Sequence, residues 1–224
     1  FKLSKNKFLP LTIYGNSTLN GINFYEKIGS AQCKSSVVFA GLRSNGTTSI
    51  KAKKSRDHTE LLCKYLKLPV SIKKKGLYDE IKVKKVKKVK PLNYNIPSDI
   101  SSAAFFIVLT ALNKGSNLII KNVNINPSRI GVIRILKKMG IKIKFENKKI
   151  YKNEKIANIY VEGSSKIKPI NCPTKLNSEA IDEFLIIFLI AAKADGISYF
   201  KNIGELNKKE SPRLKWGSKI LNKM

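Results

Sequence analysis

The sequence predicts an α/β protein that is assembled from a repeated unit. One pattern occurs three times: an apolar helical stretch, a glycine turn, a short strand, and a polar link whose arginine-containing end precedes an amphipathic helix. The turn glycines are Gly46, Gly115 and Gly196. Hydrophobic residues make up 42% of the 224 positions. That share is enough for a buried core, so the composition excludes a generally disordered protein.

The hydrophobic pattern predicts the positions of the helices and strands in each copy of the repeat. The apolar stretches lie at 35–42, 101–112 and 183–194. The strands after the turns lie at 47–51, 117–121 and 197–201, and the first two copies close with strands at 70–73 and 141–145. The amphipathic helices have as inward positions Leu61, Leu62, Tyr65 and Leu66 in the first copy and Val132, Ile133 and Leu136 in the second. The third copy stops within its helix and the first residue is Phe1, so we expect a fragment that is truncated at both ends.

The chain carries no pattern that indicates a membrane or secreted protein. Its longest strictly apolar stretch, 184–192, is nine residues long, about half of what a bilayer crossing requires. The N-terminus lacks the apolar region of a signal peptide. Three cysteines, Cys33, Cys63 and Cys172, are too few and too scattered for a disulfide framework or a zinc site. We therefore expect a soluble protein of a reducing compartment, the cytoplasm, with neither a disulfide framework nor a zinc site.

The net charge of +29 suggests that the protein binds a polyanion. The proportions of lysine and arginine weaken that interpretation. Only five of the 44 basic residues are arginines, a bias typical of AT-rich genes. The densest lysine run, 73–90, has apolar residues between the lysines, as in strands with one buried face. Tyr78 stands alone in this run, whereas proteins that bind single strands stack bases on several rings. A basic RNA-binding protein therefore remains an alternative that only the net charge supports.

Six short motifs occur in order along the chain. They are Ser30-Ala31-Gln32-x-Lys34-Ser35, Ser55-Arg56-Asp57-His58-Thr59-Glu60, Asp99-Ile100-Ser101-Ser102-Ala103-Ala104-Phe105-Phe106, Asn126-Pro127-Ser128-Arg129, Ile181-Asp182-Glu183 and Lys209-Glu210-Ser211-x-Arg213. This series resembles the bacterial 5-enolpyruvylshikimate-3-phosphate (EPSP) synthase family, and the resemblance covers essentially the whole chain. Six collinear motifs are far more specific than any one of them.

The resemblance implies a two-domain, inside-out α/β barrel (α/β, or α+β) of the enolpyruvyl transferase type. In that family each domain contains three βαβαββ units, and the active site lies in the cleft between the domains. Residues 1–97 would form the later part of the first domain, and residues 98–224 the earlier part of the second.

The implied reaction transfers the enolpyruvyl group of phosphoenolpyruvate to the 5-hydroxyl of shikimate 3-phosphate and releases phosphate, in the pathway to chorismate and the aromatic amino acids. It needs no metal and no organic cofactor. The implied partners are these two small molecules, with no nucleic acid and no membrane, and the implied subunit state is a monomer.

The resemblance also implies roles for individual residues. Asp182 would accept the proton of the 5-hydroxyl, Lys209 would contact that hydroxyl, and Glu210 would protonate the methylene carbon. The residues that would bind shikimate 3-phosphate are Ser30, Ala31 through its backbone, Gln32, Ser55, Asp182 and Lys209. Gln32 and Arg213 would bind phosphoenolpyruvate. His58, the only histidine, is expected at a helix start or a cleft wall, and Arg129 is expected to be structural or to line the cleft.

The sequence departs from the family pattern at three positions and lacks several of its motifs. Pro212 replaces an acidic residue that is usual in the last motif, Ser98 stands where glycine is common, and Phe184 stands where proline is usual. The family's early lysine–serine–arginine motif, its Asn-Ala-Gly-Thr loop and its late arginine and lysine have no counterpart, so these 224 residues by themselves are expected to be inactive. The nearest alternative is the sister enolpyruvyl transferase that acts on UDP-N-acetylglucosamine. Its usual catalytic cysteine loop is missing from this chain.

Overall fold

The computed structural model describes residues 2–3 and 11–224, which form two compact units. The first unit comprises the described residues up to Ser55 together with Leu62–Pro91, and the second comprises Arg56–Leu61 and Leu92–Met224. Within the described ranges, every helix is too short or too polar to cross a membrane.

The first unit contains a four-stranded sheet. Its elements in chain order are β1 (Lys2–Leu3), β2 (Leu11–Thr12), β3 (Asn23–Glu26), α1 (Ala31–Gly41), β4 (Thr47–Lys53), α2 (His58–Tyr65, whose first half belongs to the second unit), β5 (Val70–Lys75) and β6 (Tyr78–Lys84). The strand order is β3-β4-β6-β5, with β3 parallel to β4 and the other pairs antiparallel, while β1 and β2 pair separately. The predicted strands at 47–51 and 70–73 are confirmed, and each continues two residues further.

The core of the first unit lies on one face of this sheet. Ile50 and Ala52 of β4, with Ile81 and Val83 of β6, alternate with exposed residues, and Val38 of α1 belongs to the same cluster. This two-residue period is the signature of a sheet with one buried face. Lys34 of α1 is also buried, with 1% of its surface exposed.

The second unit contains a three-stranded antiparallel sheet and four helices. Its elements are α3 (Ile100–Leu112), β7 (Asn117–Asn124), α4 (Gly131–Lys138), β8 (Ile143–Tyr151), β9 (Glu154–Glu162), α5 (Phe184–Ala192) and α6 (Arg213–Leu221), with short 3₁₀ turns at Thr174–Leu176 and Gly204–Lys208. The strand order is β7-β9-β8. Ser98 forms an isolated parallel bridge to Val123 of β7. The chain therefore pairs with the edge of this sheet two residues before α3 begins.

The glycine turns of the repeat are confirmed, but the third strand is wrong. Gly46, Gly115 and Gly196 have φ values of 77°, 82° and 125°, which residues with a Cβ rarely adopt. The segment at 197–201 forms only one bridge, between Tyr199 and Asn171. The segment that contains Asn171 enters a 3₁₀ turn at Thr174–Leu176, so its backbone is no longer extended and cannot continue the pairing.

In the second and third copies of the repeat, the first helix (α3 and α5) is apolar on nearly every side. In α3, Ala104, Ile107 and Val108 are fully buried, whereas Phe105, Phe106 and Leu109 face outward with 61%, 58% and 60% exposure. The inner face packs in one core with the inner residues of α4 and α5 and with the sheet. Such a helix is ordinarily surrounded by protein.

Candidate functional site

Three cations surround Asp182, which lies in the turn before α5. Arg213 Nη1 is 3.1 Å from Asp182 Oδ1, and Lys209 Nζ is 3.8 Å from the same oxygen. Arg56 Nη2 donates a hydrogen bond to the other carboxylate oxygen, Oδ2. All four residues belong to the second unit, although Arg56 is 126 positions away in sequence.

The cations keep Asp182 ionised. Burial by itself would raise the pKa of Asp182, but the hydrogen bond and charge of Arg56, together with Lys209 and Arg213, outweigh it and hold the pKa below its ordinary value. An ionised carboxylate can accept a proton, and the same cations can turn towards an anionic ligand. The cluster therefore suits chemistry on a negatively charged substrate.

Glu210 is bound by Arg213 at the exposed edge of this cluster. Arg213 Nη2 lies 2.7 Å from Glu210 Oε2. A backbone hydrogen bond and then Arg213 lower the pKa of Glu210. The predicted role of Glu210 is to donate a proton, so Glu210 would first have to leave Arg213, for example when Arg213 binds an anion. Pro212 immediately precedes the first residue of α6 and leaves that helix intact.

A second cluster anchors the carboxyl of Glu183, whose side chain is only 2% exposed. Ser101 Oγ donates to Glu183 and accepts from Arg129 Nη2 at 2.6 Å. Arg129 Nη2 also lies 3.1 Å from Asp99 Oδ1, and Asp99 in turn caps α3. Burial raises the pKa of Glu183, and the charge of Asp182 adds to that effect. Arg129 therefore links Glu183, Ser101 and Asp99, which favours the structural one of its two predicted roles.

The segment 56–61 is held to the rest of the second unit by a series of hydrogen bonds. Besides the bond from Arg56, Asn126 Nδ2 donates to Asp57 Oδ1 at 2.9 Å. His58 Nδ1 lies 2.6 Å from Glu154 Oε1, at the start of α2 as predicted. No role was predicted for Arg56 from the sequence. It lies in the second of the six motifs and is one of only five arginines in the chain, and these two features could have indicated a role.

The contacts of Glu154 predict that the free energy of unfolding decreases at acid pH. Burial by itself would raise the pKa of Glu154, but His58, Asn124 and Asn126 outweigh it and lower the pKa. Since the pKa is lower in the folded state, the stabilisation is present above the unfolded value and disappears as pH falls through the folded value. We expect Glu154→Gln to lower the free energy of unfolding by about 1 to 3 kcal/mol near neutral pH.

Urea unfolding followed by circular dichroism, repeated between about pH 7 and pH 3, tests this expectation. The difference between wild type and Glu154→Gln should shrink towards acid pH. Glu146→Gln, at an exposed position on β8, is the matched control and should leave the pH dependence unchanged. A constant difference across the pH range would contradict the role of the ionised Glu154.

The remaining predicted residues lie in the first unit. Ser30 caps α1 and accepts a hydrogen bond from Cys33 N at 3.2 Å, and Ala31 and Gln32 form the first turn of that helix. Ser55 follows β4, and its buried Oγ has no hydrogen-bond partner within the described ranges. A buried hydroxyl without a partner is available to a ligand.

Within residues 2–3 and 11–224, no group of three or more histidine, cysteine, aspartate or glutamate side chains is arranged to bind a metal ion.

The fold is shared with solved enolpyruvyl transferases. The chain matches an EPSP synthase from Acinetobacter baumannii with a TM-score of 0.83 and 37% identity, over 96% of this chain and 48% of that one. It also matches the enolpyruvyl transferase NikO from Streptomyces tendae with a TM-score of 0.60 and 14% identity, over 84% of this chain and 47% of that one, which shows the fold alone. The chain therefore has the enolpyruvyl transferase fold, as the resemblance implied.

Proteins of similar sequence identify the family within the enolpyruvyl transferases. A 3-phosphoshikimate 1-carboxyvinyltransferase of Legionella pneumophila (strain Corby) is 40% identical over 206 residues, which is 92% of this chain and 46% of that protein. The protein of the same name from Staphylococcus aureus (strain Newman) is 37% identical over 219 residues, or 97% and 50% of the two chains. The family model for EPSP synthase (3-phosphoshikimate 1-carboxyvinyltransferase) matches residues 2–224. The chain belongs to the EPSP synthase family, and it spans about half the length of the curated relatives it matches.

Proposed function

We propose that this chain is part of an enzyme that transfers the enolpyruvyl group of phosphoenolpyruvate to the 5-hydroxyl of shikimate 3-phosphate and releases phosphate. The relatives are named for this activity. The observation that carries the proposal is the ionised Asp182 among Arg56, Lys209 and Arg213. A proton acceptor surrounded by cations is what an acid–base reaction between two anionic substrates requires.

In the proposed mechanism, Asp182 accepts the proton of the 5-hydroxyl while the hydroxyl oxygen bonds to the substituted carbon of phosphoenolpyruvate. Glu210 gives a proton to the methylene carbon, which becomes a methyl group. The resulting tetrahedral intermediate then returns a proton from that methyl group to the Glu210 carboxylate and expels phosphate, which takes the proton held by Asp182, so the double bond is restored. Lys209 contacts the hydroxyl and stabilises the negative charge that develops on its oxygen.

The substrate contacts follow the same proposal. Ser30, the backbone of Ala31, Gln32 and Ser55 bind shikimate 3-phosphate, while Gln32 and Arg213 bind phosphoenolpyruvate. The unpartnered hydroxyl of Ser55 and the planar guanidinium of Arg213, which matches a carboxylate or phosphate through two hydrogen bonds, support these assignments.

The wider context belongs to the proposal as well. We infer that the enzyme is a cytoplasmic monomer, with its domains divided near residue 98. Because the chain spans about half of its relatives, we assign the activity to a full-length protein and expect these residues by themselves to be inactive.

The test measures phosphate release in a full-length protein in which these residues occupy the part that they match. Release should require both phosphoenolpyruvate and shikimate 3-phosphate. Replacing shikimate 3-phosphate by UDP-N-acetylglucosamine should abolish release. A folded full-length protein that releases no phosphate with both substrates, or that prefers the nucleotide sugar, would overturn the proposal.

A further inference from the structure

The outer face of the four-stranded sheet in the first unit is strongly basic. Residues on this face alternate with buried ones along β4 and β6, and the residues of β5 are paired in register with those of β6. Six of them are exposed lysines: Lys51, Lys53, Lys73, Lys75, Lys82 and Lys84. Glu80 is the one acid that these strands place on the face, and it pairs with Lys75 at 2.8 Å. We call this surface the open sheet face.

Two tyrosines lie together among these lysines. The ring centroids of Tyr25 and Tyr78 are 5.7 Å apart, with planes inclined by 52°. Lys51 Nζ lies 5.3 Å from each centroid. Tyr78 is the only aromatic residue of the run 73–90, but the fold adds Tyr25 from outside that run. Tyr25 lies opposite Lys51 and Tyr78 lies opposite Lys53, so the sheet brings together two rings that are far apart in sequence.

The open sheet face also has a recess beside these rings. A groove of about 340 Å³ is lined by Tyr25, Lys51, Lys82 and Glu80, among others. This volume lies within the range of small-molecule sites. Tyr25 is 44% exposed, so part of its ring is open to a ligand.

We propose that the open sheet face binds single-stranded nucleic acid, with bases stacked on Tyr25 and Tyr78 and phosphates paired with the surrounding lysines. Aromatic rings interleaved with cations on an open four-stranded sheet are the combination that single strands use, because every base has a face to stack and every linkage carries a charge. A duplex keeps its base faces covered, and an anionic membrane needs the lysines but not the tyrosine pair. The proposal does not rest on the enzymatic one.

The experiment measures the fluorescence anisotropy of a labelled oligothymidylate of about ten nucleotides, titrated with the 224-residue chain at about 50 and 200 mM salt. We expect binding that weakens with salt. Tyr25→Ala should weaken it about tenfold or more, whereas Tyr25→Phe should retain it because the stacking ring remains. Lys51→Gln should reduce the slope of log affinity against log salt by about 0.7.

Matched controls come from the second unit. Tyr160 on β9 also has a lysine near its ring, Lys144 at 6.0 Å, but it has no neighbouring tyrosine in the described ring pairs. Tyr160→Ala and Lys144→Gln should change the affinity less than twofold. Circular dichroism confirms that each variant is folded.

Several results would overturn the proposal. One is an absence of binding at the lower salt concentration, and another is an equal loss of affinity in the Tyr25 and Tyr160 variants. A third is an equal affinity for a duplex of the same length, which would show that the lysines bind the phosphate charge and that base stacking contributes nothing. Binding to phosphatidylserine–phosphatidylcholine vesicles that depends on Tyr25, without binding to the oligonucleotide, would assign the face to a membrane instead.

Discussion

Asp182→Asn is expected to lower kcat for phosphate release by about 10² to 10⁴-fold in the full-length protein, because an amide cannot accept the proton of the 5-hydroxyl. The substitution also leaves Arg56, Lys209 and Arg213 without the carboxylate that they share. The measurement is steady-state phosphate release as a function of pH.

The pH profile of the wild type carries a separate expectation. Asp182 accepts a proton only when it is ionised, and its neighbours hold its pKa below the ordinary value. The acid limb of kcat/KM that belongs to Asp182 should therefore lie at lower pH than an ordinary aspartate would give, and this limb should be lost in Asp182→Asn.

Glu205→Gln is the matched control for Asp182. Glu205 is an exposed carboxylate that lies 3.5 Å from Lys209 Nζ, so it contacts the same lysine without occupying the place of Asp182. We expect a change of less than about threefold, as for an exposed ion pair. If Asp182→Asn retained more than a tenth of the wild-type kcat, Asp182 would not be the base.

Arg129→Ala should lower the free energy of unfolding by about 3 to 5 kcal/mol at neutral pH, because it removes the cation beside a buried carboxyl. Ser101 would lose its donor, and Glu183 and Asp99 would lose their shared counter-charge. The pKa of Glu183 is already raised by burial, so at low pH this carboxyl is neutral and needs no cation. The loss should therefore be smaller at about pH 4.5 than at pH 7. Urea unfolding followed by circular dichroism measures both.

Two further variants separate the buried charge from a general effect of removing arginine. Adding Glu183→Gln to Arg129→Ala should recover part of the loss, since the two residues are coupled. Arg134→Ala removes a more exposed arginine, at 41% against 15%, from its pair with Glu179. It should change the free energy by less than about 1 kcal/mol. Equal losses from Arg129 and Arg134, or no recovery in the double variant, would contradict the buried-charge explanation.

The features that the sequence predicted well are local. The glycine turns and the apolar helices are visible because a few neighbouring residues determine them: a left-handed φ at Gly46 or Gly115, and an unbroken apolar run such as 184–192. The predicted strand at 197–201 did not form because its pairing depends on a partner segment that enters a 3₁₀ turn at Thr174–Leu176. A propensity pattern contains no information about that partner.

The features that could not be predicted from the sequence depend on tertiary contacts. The motifs of the family predicted Asp182, Lys209, Glu210 and Arg213 as site residues. They did not reveal the hydrogen bond from Arg56 to Asp182, because the two residues are 126 positions apart. The burial of Lys34 could not be predicted from composition either. In a lysine-rich chain, nothing in the identity of one lysine shows that it is buried.

The exposed side of α3 has a consequence for how this chain is handled at the bench. Phe105, Phe106 and Leu109 form a continuous apolar stripe on that helix in the folded state. Dyes that fluoresce in contact with apolar surface bind such stripes before any unfolding occurs. A thermal-shift assay with such a dye would start from a bright baseline and understate the transition, and substituting Phe106 by lysine should darken that baseline without shifting the melting curve seen by circular dichroism.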